Sequence, residues 1–105
     1  MDKDKTIDNA LYIYTYPILP FPIESGTQSA ISLPVRSMLL RIEGHNGWLC
    51  AWCLVDPDDV LTEQVERHII FEVYGTEEPI EDTGKLQYHT TVIDNNVAYH
   101  VFRRQ

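Results

Sequence analysis

Apolar and aromatic positions alternate from Leu11 to Tyr16, with Leu11 and Ile13 set between Tyr12, Tyr14 and Tyr16. A period of two predicts a strand that lays the aliphatic pair on a core and shows the tyrosines on the other face. Pro17 lacks a backbone donor and is expected to limit further pairing. Two prolines and a glycine crowd the stretch Leu19 to Thr27, which therefore reads as a loop, with Phe21 as its packing contact. A short strand from Ser29 to Leu33 is closed by Pro34. Ser37 to Glu43 then alternates Met38, Leu40 and Ile42 against Leu39, Arg41 and Glu43.

Gly44-His45-Asn46-Gly47 supplies an Asn-Gly pair between two strand patterns, and these residues readily take the positive φ of a two-residue hairpin turn. Trp48 to Val55 is apolar at every position, the pattern of a central strand covered on both faces. Asp56-Pro57-Asp58-Asp59 breaks that strand. Val60 to Glu66 fits one helical turn, with Asp58 or Asp59 as cap and Glu63 near the capping-box position. Arg67 to Tyr74 alternates Ile69, Phe71 and Val73 against Ile70, Glu72 and Tyr74, and Gly75 ends it. Thr76 to Lys85 is an acidic loop. Leu86 to Ile93 and Val97 to Arg103 flank Asp94-Asn95-Asn96 as a closing hairpin.

These segments predict an all-β, mainly antiparallel chain: a compact β-sandwich or partly open barrel of about seven strands, with at most one short helical turn. With 105 residues, the chain has room for one core, so residues 1–8 are expected to be a flexible N-terminus and residues 9–105 a single β domain. Apolar residues make up 44% of the sequence, enough for a modest core that needs neither metal nor disulfide.

Sixteen acidic residues against eight basic ones give a formal charge of −8, a field that repels a phosphate backbone and argues against direct nucleic-acid binding. No apolar run approaches the ~20 residues of a membrane helix, and Met1-Asp2-Lys3-Asp4-Lys5 lacks the apolar stretch of a signal peptide. A soluble cytoplasmic protein is the expectation.

Chemistry-bearing residues are present without the spacing that chemistry needs. Cys50 and Cys53 form a C-x-x-C pair, but residues three apart on a strand point to opposite faces, so the two sulfurs neither bridge nor share an ion. They read as small buried apolar residues. His45, His68, His89 and His100 include no H-x-H or H-E-x-x-H pair, which leaves no metal site in prospect. The sequence has no G-x-S-x-G elbow, P-loop or Rossmann glycine pattern, and no enzyme activity or cofactor is expected.

Five phrases recur in a fixed order: Tyr14-Thr15-Tyr16-Pro17, Ile31-Ser32-Leu33-Pro34, Ala51-Trp52-Cys53-Leu54-Val55-Asp56-Pro57, Tyr74-Gly75-Thr76 and Tyr99-His100-Val101-Phe102. In this order and spacing the chain resembles a family of short uncharacterised proteins common in bacteriophage genomes, over roughly residues 10–103. The resemblance implies a phage origin, a shared β-rich domain and a place in the host cytoplasm. Glu77 stands where the family typically has a second glycine.

Two acidic groups remain: Asp56, Asp58, Asp59, Glu63 and Glu66, and then Glu77, Glu78, Glu81 and Asp82. If the loops carrying them share one edge, they present a negative surface able to steer onto a basic partner. Solvated loops that maintain solubility are the plainer reading. Tyr14, Tyr16, Arg41 and Trp52 are candidates for an aromatic pocket with a phosphate partner. The leading expectation is thus a non-enzymatic phage protein that binds a host protein stoichiometrically, including one of an anti-defence type. The alternatives are a sponge for a small nucleotide signal and a virion or assembly component that forms a homo-oligomer.

Overall fold

The computed structural model describes residues 10–61 and 65–105. Among them are seven strands: β1 (Tyr12–Pro20), β2 (Thr27–Pro34), β3 (Met38–His45), β4 (Trp48–Val55), β5 (Val65–Gly75), β6 (Leu86–Asp94) and β7 (Val97–Arg104). A short helix α1 (Pro57–Leu61) precedes β5, and a 3-10 turn (Thr83–Lys85) precedes β6. The expected N-terminal segment 1–8 and Glu63 lie outside the described residues. No helix among the described residues is long and apolar enough to cross a membrane.

The strands form two antiparallel sheets, one ordered β1-β4-β3 and the other β2-β5-β7-β6. Their inner faces interdigitate. Leu49, Ala51, Cys53 and Val55 of β4 meet Leu33 of β2, Ile69, Phe71 and Val73 of β5, and Val101 of β7, all at 1% exposure or less. β1 approaches β2 and β3 approaches β6, but neither pair exchanges ladder hydrogen bonds, so the molecule is a sandwich and not a closed barrel. One end gathers Tyr12, Met38 and Val55; the other gathers His45, Trp48, Gly75 and Val97. At the second end Phe21 ties the layers together, donating its N–H to Gly47 O at 3.0 Å and packing 5.1 Å from the Tyr99 ring.

The structure corrects several expectations. Pro17 does not end pairing: β1 continues to Pro20, because β1 is an edge strand where a missing donor is tolerated. The register shifts at Ile18, whose carbonyl accepts the Ser29 hydroxyl at 2.8 Å. The faces of β1 are the reverse of those expected. Tyr14 and Tyr16 pair with Cys53 and Ala51 and pack on the core, while Ile13 is 59% exposed. Aromatic rings fill the space between sheets better than Ile13 would.

In β3 a register shift at Leu40 breaks the alternation, so Leu39 and Ile42 turn inward and Met38, Leu40, Arg41 and Glu43 turn outward. Helix α1 starts at Pro57, three residues earlier than the sequence suggests. Asp56 is its cap, accepting the Asp58 N–H through Oδ1 at 3.0 Å, and proline is well suited to the first helical position.

Candidate functional site

β4 is apolar on both faces, yet only one face is covered. Its outward residues Trp48, Cys50, Trp52 and Leu54 lie in the middle of the three-stranded sheet. Ile13, Thr15 and Pro17 flank them on β1, and Met38, Arg41, Glu43 and His45 on β3. No described element packs over this face. Ile13 and Met38 are exposed by 59% and 58% and Trp48 by 42%; Trp52 and Leu54 are half-buried by their neighbours. The expectation that β4 is sheathed on both sides, with Trp48 and Trp52 in the core, is therefore replaced by an open aromatic and aliphatic surface.

Charge on this surface is balanced. Arg41 Nη2 lies 3.0 Å from Glu43 Oε2, both exposed. His45 stands edge-on to Trp52 with ring centroids 5.3 Å apart and accepts from or donates to Asn46 at 3.2 Å. The Trp52 indole N–H is buried without a hydrogen-bond partner. Cys50 is 4% exposed on this side and Cys53 fully buried on the other; burial raises both thiols, Cys53 to about 11, so neither is a ready nucleophile.

The acidic candidates do not form one surface. Asp58 sits at the end where β4 stops, and Asp59 beside it is buried and gripped by Arg36, with Nη2 to Oδ1 at 2.5 Å and Nε to Oδ2 at 3.2 Å. Glu77 and Glu78 follow β5 at the opposite end. An eight-residue strand separates the two groups by about 26 Å, more than the ~10 Å screening length at 0.1 M salt. β5 and β6 run the same way with β7 between them, so the loop carrying Glu81 and Asp82 recrosses the outer face of the four-stranded sheet. There Asp82 lies 3.8 Å from Arg104.

The pocket candidates are also divided. Tyr14 and Tyr16 point between the sheets, while Arg41 and Trp52 are cross-strand neighbours on the outer face. Burial raises the Tyr16 phenol, with small contributions from Cys53 and Tyr14.

On the four-stranded sheet, Glu72 faces outward and is 1% exposed beneath its own neighbours. It accepts from Arg104 Nε, from Gln28 Nε2 at 2.5 Å and from the Tyr74 hydroxyl at 2.6 Å. The Arg104 hydrogen bond leads in holding this carboxyl below its ordinary value, and Glu72 in turn raises Tyr74. Such a carboxylate stays ionised and acts as a tie, not as an acid. His100 is held by Thr76 and Thr91 at 2.8 and 2.9 Å, and His68 by Ser32 at 2.9 Å. Among the described residues no three His, Cys, Asp or Glu groups converge as a metal site would need.

Sequence reasoning missed Ile13, Met38 and Trp48 as surface residues. The signal was there in the uniformly apolar β4; what it lacked was any indication that one face has no cover.

The chain belongs to a family described as a domain of unknown function (DUF7352), whose model matches residues 12–105. No curated protein and no solved structure matches it.

Proposed function

We propose that this member of a family of unknown function is a non-enzymatic binding protein that acts stoichiometrically, covering a partner protein with the outer face of its three-stranded sheet. One observation carries the reading: a contiguous, charge-balanced apolar face on a chain of charge −8. Three strands of eight residues present roughly 380 Å² in projection, the size at which an exposed apolar patch on a monomer marks an interaction site. Tryptophan and methionine are residues that interfaces concentrate. Asp58, at one end of the face, adds a negative rim that steers a basic-rimmed partner toward it.

The resemblance to phage proteins directs the reading to a host protein in the host cytoplasm, bacterial defence components among them. Capture from host lysate on immobilised protein tests it. Trp48→Ala, and separately Ile13→Thr with Met38→Thr, are expected to weaken capture of the recovered partner by roughly tenfold or more. Asp58→Lys with Glu78→Lys changes mainly its salt dependence. Capture that is indifferent to the three apolar substitutions overturns the proposal.

A further inference from the structure

Opposite the β1 and β2 side, the sandwich stays open along a seam. The edge strands β3 and β6 face each other there across a cleft of about 750 Å³, lined by residues 40–47 and 89–94. Three features make it more than a gap. First, β3 hydrogen-bonds only to β4 and β6 only to β7 among the described residues, so alternate N–H and C=O groups on both walls face the cleft without ladder partners. Second, the two walls run in the same direction, with His45 and Asp94 together at the far end. Third, each wall has a register shift where the cleft begins, at Leu40 in β3 and at His89 in β6, leaving regular runs of 41–45 and 90–94 beyond. Bulges at these points bend both edges and prevent them from pairing directly with each other.

The dimensions match a strand. Five residues span about 17 Å, so the cleft has a cross-section of roughly 44 Å², close to the product of the ~4.8 Å strand spacing and the ~10 Å sheet spacing. We infer that the β3/β6 cleft is a binding site for an extended peptide segment of a partner protein, which enters as an eighth strand antiparallel to both edges and closes the sandwich into a barrel.

The lining defines the segment's chemistry. Inward positions of the inserted strand meet Ile42, Val92 and the Phe71 edge beside His89, and call for apolar side chains at every second residue. Arg41 and Glu43 neutralise one another, leaving Asp94 as the unbalanced charge on a molecule of −8. The segment is therefore neutral or basic, with apolar residues alternating. This mode, strand addition, draws affinity from main-chain hydrogen bonds and specificity from alternate side chains. It is independent of the proposed apolar face, whose key residues Ile13, Met38 and Trp48 do not line the cleft.

The test is selection of binders from a random ten-residue peptide library on the whole protein. The best peptide is then remade with alternate backbone amides N-methylated, in each of the two possible registers. Methylation in both registers is expected to weaken binding about tenfold or more, since both edges lose hydrogen bonds. Ile93→Lys, a charge placed on an exposed part of the β6 edge, is expected to weaken it comparably while leaving the far-ultraviolet spectrum unchanged. Amide exchange at 41–45 and 90–94 should slow on binding, and Trp48→Ala should have no effect. Failure to enrich any peptide, loss in one register or neither, or slowed exchange without peptide as protein concentration rises, which would signal pairing with a second copy, each overturns the inference.

Discussion

Glu72 projects from the surface-facing side of β5 and is still almost fully covered, because Gln28, Tyr74 and Arg104 close over it. Its carboxyl is held below the ordinary value of 4.5, led by the Arg104 hydrogen bond. A carboxyl depressed in the folded state stabilises the fold fully above 4.5, and that contribution is lost as pH falls through the folded value. Thermal melts should therefore show Glu72→Gln less stable than the native chain at pH 7, with the gap narrowing at pH values below 4.5. A gap that does not narrow would mean that the network acts through packing and not charge. His89 has the same sign by a different route. Its ring stands edge-on to Phe71 at 5.9 Å, and desolvation, followed by Arg103, lowers its value from 6.5. Stability from neutral His89 is complete above 6.5 and lost as pH falls through the folded value. His89→Phe should flatten the melting temperature in the window below 6.5, by a small amount because the residue is exposed and solvent screens it.

At the scale of elements, the β3–β4 hairpin is where local sequence decides structure most directly. Asn46 and Gly47 adopt φ of 51° and 83°, the two positive values a tight hairpin turn requires. A Cβ at Gly47 would meet nothing within 4 Å, so Gly47→Ala isolates backbone strain. The expected loss is about 1–2 kcal/mol, a fall of roughly 4–16 °C in melting temperature. Gly84 has equally open surroundings without a positive φ, and Gly84→Ala should be neutral or stabilise by up to about 1 kcal/mol. Equal effects at the two sites would refute this account. The same turn shows why part of the fold is legible in sequence: Asn46-Gly47 and the alternation of Ile69, Phe71 and Val73 are local signals that the tertiary structure keeps. What fails is whatever depends on a neighbour. Period two gives β1 two faces but not which is inward, and the tyrosines take the core side. Leu40 reads as core until the register shift turns it out. Trp48 and Trp52 read as buried because nothing in a sequence marks an uncovered sheet, and for the same reason the β3/β6 cleft, made by two strands over forty residues apart, is invisible until the sheets are assembled.

For the molecule as a whole, charge and apolar surface oppose each other. A net −8 keeps copies apart at neutral pH, while the open face of the three-stranded sheet, with its one acidic side chain paired to Arg41, offers them a place to meet. The balance moves with pH. Near pH 4.7 the net charge vanishes, and repulsion with it. Glu72 titrates below 4.5, so its network is still intact there and the chain remains folded as it becomes neutral. Association at pH 4.7 should therefore occur between native molecules and through the apolar face, not through unfolded chain. Sedimentation velocity from pH 7 down to 4.7 should show growing association with an unchanged near-ultraviolet spectrum. Ile13→Thr with Met38→Thr, which leaves the charge untouched, should suppress it. Screening at neutral pH with salt, which shortens the reach of the −8 field to about 3 Å at 1 M, should produce the same association and the same sensitivity to those two substitutions. If the substituted protein associates as readily as the native one under both conditions, the face is not the adhesive surface, and the edges of β3 and β6 become the place where copies meet.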